Sequence, residues 1–134
     1  MKILILGASY GSLLSTKLLM AGHDVTLICR SKSAALINSE GTEVRIKLRD
    51  EDVHRSFLSE NFVGQLDAVT PADARPEDYD LIGLAMQEPQ YSEPQVRDLM
   101  RRIALSRKPC LSIMNMPPLP FLRRIDALTD AQLD

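Results

Sequence analysis

The first thirty residues constrain the fold of this chain more than any other stretch. Ile3-Leu4-Ile5-Leu6 is a short aliphatic run closed by Gly7. Leu13, Leu14, Leu18 and Ala21 then fall at helical spacing until Gly22 stops them, and Val25 to Cys29 repeats the aliphatic signature after the tight Gly22-His23-Asp24 connection. The pattern predicts strand, glycine turn, helix, glycine stop and strand in direct succession. Both strands are apolar on both faces, as parallel strands covered by helices are.

The rest of the chain continues the alternation. Ser33 can cap a short helix running to Asn38, and Gly41 ends it. Val44, Ile46 and Leu48 alternate with Arg45, Lys47 and Arg49, which predicts a strand with one wet face, at an edge or antiparallel. Residues 49–65 are polar and poorly periodic and read as loop. Leu66 to Val69 reads as a strand, Thr70-Pro71-Ala72-Asp73 as a turn, and Leu81 to Met86 as a further buried strand led by Asp80. Val96, Leu99, Met100 and Ile103 share one helical face, with Arg97, Asp98, Arg101 and Arg102 opposite. Pro109 to Met114 is the last expected strand. Pro117, Pro118 and Pro120 then mark an exit from the sheet, because proline cannot continue a central strand, and an amphipathic tail runs from Leu122 to Leu133. Strands alternating with helices over short connections predict an open α/β sheet, mostly parallel, with helices on both faces.

Composition narrows what such a domain does. The 134 residues, 45% hydrophobic, suffice for one domain. Sixteen Lys and Arg against 18 Asp and Glu leave a net charge of −2, so no basic surplus points to nucleic acid or to an anionic membrane. No apolar run approaches the roughly 18 residues that a membrane helix needs. The apolar stretch after Lys2 breaks at Gly7 and lacks a cleavage site, which argues against an export signal. Cys29 and Cys110 form neither a disulfide framework nor a metal spacing and read as buried thiols, so a cytoplasmic protein without a metal is expected. His23 and His54 read as solvated residues, and the methionines as core or cleft lining.

The chemistry concentrates where the first strand opens into the first helix, at Gly7-Ala8-Ser9-Tyr10-Gly11-Ser12. Free backbone N–H groups and the positive helix end converge at such a turn, and a pyrophosphate can accept hydrogen bonds from them. Against the spacing G-x-G-x-x-G, Gly7 is in register, Ser9 and Ser12 take the second and third places, and Gly11 falls one position early. A one-residue deletion would instead align Gly11-Ser12. The plainer alternative is a turn that needs glycine for geometry alone. At the end of the second strand, NAD-selective domains carry an acid for the ribose hydroxyls, whereas this chain has Arg30 and Ser31. A guanidinium there can clamp a 2′-phosphate, although any surface turn can also carry an arginine for solvation.

These residues resemble a family. Met1 to Ala8, Gly11 to Leu14 and Ala21 to Ser31 are similar to the amino-terminal domain of ketopantoate reductases (2-dehydropantoate 2-reductases), and the likeness extends weakly through 50–78 to the end of the chain. The resemblance implies a Rossmann-type, doubly wound domain that binds NADP(H), with Arg30 on the 2′-phosphate. Asp80-Leu81-Ile82 resembles the family's aspartate-led fourth strand. Ile113-Met114-Asn115 resembles its Ile-x-Asn-Gly segment, whose asparagine lies near nicotinamide and substrate. The family's strand-end lysine is replaced by Gln87, its following glutamine is kept as Gln90, and the glycine after Asn115 has become Met116. Its general-acid lysine and substrate-binding glutamate belong to a helical second domain that the resemblance places after this sequence.

The expected cofactor-binding set is therefore Gly7, Ala8, Ser9, Tyr10, Gly11, Ser12, Arg30, Ser31, Gln87 and Asn115, with no catalytic residue in this sequence. The leading expectation is the NADP(H)-binding domain of an oxidoreductase that reduces a 2-oxo acid or related carbonyl. The partners implied are that small substrate, the second domain toward which 117–134 exit, and possible homodimerisation through the apolar tail. A stand-alone nucleotide-binding, sensing or partner-binding module is the alternative.

Overall fold

A computed structural model of the chain describes residues 1–47 and 52–113. The opening unit folds as expected: β1 (Lys2–Leu6), α1 (Ala8–Met20) and β2 (Asp24–Ile28). After them come α2 (Ser31–Glu40), β3 (Glu43–Lys47), β4 (His54–Leu58), β5 (Leu66–Val69), β6 (Leu81–Leu84), α3 (Pro94–Ser106) and β7 (Cys110–Ser112). Five strands form one sheet in the order β5-β2-β1-β6-β7, and each neighbouring pair is parallel.

Alternation along β1 divides the core between two faces. Ile3 and Ile5 point to the side where Leu19 of α1 and Ala34 of α2 pack, together with Val25, Leu27 and Ala68. Leu4 and Leu6 point the other way, where Val96, Leu99 and Ile103 of α3 cover them with Ile28 and Ile82. Both faces of the sheet are thus covered, which is why the strand sequences are almost continuously apolar. Leu4, Ile5, Leu6, Leu27, Ile28 and Ile82 are fully buried. Each contributes about 1.5–3 kcal/mol relative to exposure in water.

Short polar ties set the register at the sheet's lower end. Asp80 Oδ2 accepts a hydrogen bond from the Lys2 amide at 2.8 Å, and the Asp80 amide donates to the Lys2 carbonyl at 2.8 Å. The aspartate ahead of β6 therefore fastens it to the start of β1. Asn38 of α2 does the same for the edge strand. Its amide group donates to the Ala68 carbonyl and its oxygen accepts from the Ala68 N–H, both at 2.8 Å.

Several local expectations are corrected. Residues 49–65 are not all loop, because β4 lies among them and pairs antiparallel with β3, from Glu43↔Leu58 to Lys47↔His54. This ribbon is separate from the main sheet. Phe57 is the only residue of β4 that is even half-buried, so the strand has no apolar period to read. The helix expected from Ser33 to Asn38 spans Ser31–Glu40, with Arg30 rather than Ser33 at its N-cap. The last strand is shorter than Pro109 to Met114, and Met114 lies outside the described residues. Neither cysteine is fully buried: Cys29 is half-buried at the end of β2, and Cys110 is exposed because β7 is an edge strand.

Candidate functional site

The turn between β1 and α1 is shaped by two glycines with different tasks. Gly7 is the N-cap of α1 and adopts φ +106°, a conformation that side chains rarely adopt. A β-carbon there would fall 2.7 Å from the Ala85 carbonyl oxygen at the end of β6. Gly11 is buried one turn into the helix, where a β-carbon would lie 2.6 Å from Ile5 Cγ2. Gly11 therefore lets helix and strand approach closely, the task assigned to the last glycine of dinucleotide-binding turns. The glycine that falls out of register in the sequence is in place for packing.

The amide ends of the turn are available for an anion. The first helical hydrogen bond runs from the Gly11 N–H to the Gly7 carbonyl at 2.9 Å. The N–H groups of Ala8, Ser9 and Tyr10 precede that bond, and no side chain caps the helix. The first turn carries no acidic residue that would repel a phosphate.

Ala8 and Ser9 of this turn line a cleft of about 270 Å³ at the carboxyl ends of the strands. The chain leaves β1 for β2 on one side, while β6 adds on the other, and ligands of open α/β sheets bind where the order reverses. Gly7, Ala8 and Ser9 line one wall, Cys29 and Arg30 come from the passage between β2 and α2, and Ser31 and Ser33 from the first turn of α2. Thr70 and Pro71 after β5 and Ala85 and Met86 after β6 close the floor, while Gln90, Glu93 and Gln95 come from the approach to α3 and its first turn.

Arg30 stands at the cleft with its side chain 83% exposed, and its Nη2 lies 3.5 Å from Glu93 Oε1. Burial pushes the Cys29 thiol above its ordinary range, so nothing in the cleft wall activates it as a thiolate. Pro71 is held in place from below. Arg102 of α3, expected on the solvent face, is only partly exposed and donates to the carbonyls of Pro71 and Ala74 while its Nε binds Asp98 at 3.0 Å.

Of the residues expected from sequence, Gly7, Ala8, Ser9, Arg30 and Ser31 come together around this cleft. Gly11 sits beneath the helix. The Ser12 hydroxyl donates to the Ser9 carbonyl at 2.9 Å, so it is turned along the helix. The Tyr10 phenol oxygen accepts a hydrogen bond from Gln87 Nε2 at 2.7 Å, which ties the turn after β1 to the turn after β6. Neither Tyr10 nor Gln87 lines the cleft. Asn115 lies outside the described residues. The sequence reading did not include Ser33, Thr70, Glu93 or Gln95 in the site. No local spacing marks them, because they reach it from three different segments.

Among the described residues no group of three or more His, Cys, Asp or Glu side chains could hold a metal ion, and no helix is long and apolar enough to cross a membrane.

Comparisons with known proteins agree with the fold. The family model "Ketopantoate reductase PanE/ApbA" matches residues 3–105. Among solved structures, the chain is similar to a protein of Enterococcus faecalis assigned as a 2-dehydropantoate 2-reductase, with 21% identity and a TM-score of 0.59. The similarity covers 92% of this chain and 37% of that one, so the chain spans little more than a third of that protein. At this identity the likeness shows a shared fold. Apo saccharopine dehydrogenase (L-Glu forming) from Saccharomyces cerevisiae matches at 16% identity and a TM-score of 0.44, over 87% of this chain and 22% of that one. The comparison with curated proteins finds no match. With a Rossmann-like sheet and a family match over most of its length, the chain belongs to the ketopantoate reductase family, whose members use a nicotinamide cofactor.

Proposed function

We propose that this chain is the NADP(H)-binding domain of a ketopantoate-reductase-like oxidoreductase, which transfers hydride from NADPH to a 2-oxo acid or related carbonyl compound. The observation that carries the reading is the placement of an exposed guanidinium, Arg30, on the same cleft as the uncapped amides of the β1–α1 turn. The lining of the cleft supports this reading. Gly7 lets the turn pass close against the Ala85 carbonyl, and the Ala8 and Ser9 amides that follow can bind the pyrophosphate. In this reading Arg30 and Ser31, which line the same cleft, bind the 2′-phosphate. A volume of about 270 Å³ lies just below the roughly 300–1,000 Å³ of ordinary ligand sites, which suits one half of a dinucleotide.

When bound, the cofactor supplies a hydride. Transfer needs an acceptor carbonyl held about 3–3.5 Å from the nicotinamide and a proton donor beside its oxygen. In this reading those groups come from a second, helical domain, and the present residues bind and orient the coenzyme.

Titration of NADPH and NADH into the purified chain, followed by nicotinamide fluorescence, tests the reading. A charge-assisted hydrogen bond contributes about 1.5–3 kcal/mol, so Arg30→Ala is expected to weaken NADPH by about 10- to 150-fold and to leave NADH nearly unchanged. Equal affinities for the two coenzymes, or an unchanged NADPH affinity in Arg30→Ala, would remove the assignment.

A further inference from the structure

Resting on that reading of the cleft, we infer that Glu93 is a coenzyme-specificity residue that competes with the 2′-phosphate for Arg30. Arg30 is the N-cap residue of α2 and Glu93 the N-cap residue of α3, 63 residues apart in sequence. Both line the cleft, and the carboxylate lies 3.5 Å from the guanidinium. The Glu93 side chain makes no capping hydrogen bond to its own helix. It reaches instead to the one cation that lines the cleft among the described residues.

The ion pair is exposed on both sides, with side-chain exposures of 83% and 51%, so it is weak enough for a ligand to break. A phosphate that binds Arg30 must displace the carboxylate and then remains near it, and two anions close together repel each other. An NADH ribose carries no such charge, and a carboxylate can accept hydrogen bonds from its hydroxyls. Glu93 thus lowers the preference for NADPH that Arg30 alone would give.

The test is Glu93→Gln, which keeps size and polarity and removes the charge, measured as affinity for NADPH and NADH at low ionic strength in the full chain. NADPH is expected to tighten about 5- to 20-fold while NADH stays within about twofold, on the strength of one like-charge contact at a solvated site. A merely structural role would move both coenzymes together. Equal shifts, or no shift in a chain whose wild type binds NADPH, overturn the inference and leave the proposed function standing. If the wild type binds NADH alone or neither coenzyme, and Glu93→Gln gains NADPH, the inference holds and the NADP assignment of the wild type falls. Absence of binding in both proteins overturns both.

Discussion

A β-carbon placed on Gly11 would lie 2.6 Å from Cγ2 of Ile5, a fully buried residue of the central strand. Ile5 is β-branched and enclosed, so it cannot swing aside. Helix α1 therefore rests on β1 through the absence of a side chain, and that contact sets where the turn amides point.

Gly11→Ala is expected to destabilise the domain by about 1–2 kcal/mol, the strain of overpacking less the alanine's better helix propensity. Gly83 in β6 is the control. A β-carbon there meets nothing closer than 3.6 Å, so Gly83→Ala is expected to change stability by less than about 0.5 kcal/mol. Urea unfolding followed by circular dichroism reads both, and equal effects would show that the Gly11–Ile5 contact is not limiting.

Gly7→Ala is expected to cost more, about 2–4 kcal/mol, because positive-φ strain adds to a contact with backbone rather than with a side chain. NADPH binding is expected to be lost even where the variant remains folded, since the turn must open to admit the methyl group. Binding by the folded variant at wild-type affinity would contradict this.

Arg102→Ala is expected to destabilise by about 1.5–3 kcal/mol, because its guanidinium holds the carbonyls of Pro71 and Ala74 from a partly buried position. The segment after β5 should become more susceptible to limited proteolysis, and NADPH binding should weaken because Thr70 and Pro71 line the cleft. Unchanged proteolysis would show that the segment holds its place without the arginine.

Burial holds the Cys29 thiol above its ordinary range, so alkylation in a Cys110→Ser background is expected to climb with pH and show no plateau up to about pH 9. NADPH is expected to slow the reaction, because Cys29 lines the cleft proposed for the coenzyme. Mass spectrometry of iodoacetamide adducts measures both effects. A plateau near neutral pH would reveal an activated thiolate and contradict the environment described.

Local sequence determined a great deal of this protein. The strand-turn-helix-strand opening was legible because β1 and β2 are buried on both faces and α1 is bounded by Gly7 and Gly22, so pattern and burial agree residue by residue. Arg30 could be placed at the cleft because the end of β2 is fixed by the same pattern. The ribbon strand β4 was not legible, since a strand wetted on nearly every side has no periodic constraint on its residues. The opposite wall of the cleft was decided only by tertiary structure. Thr70, Glu93 and Gln95 line the cleft with Arg30 because the parallel sheet brings the carboxyl ends of β5, β2, β1 and β6 to one edge, and short-range spacing carries no information about which loops meet there. Gly11 shows the same division: its identity is local, but its task depends on Ile5, which lies beneath it only once helix and sheet have packed.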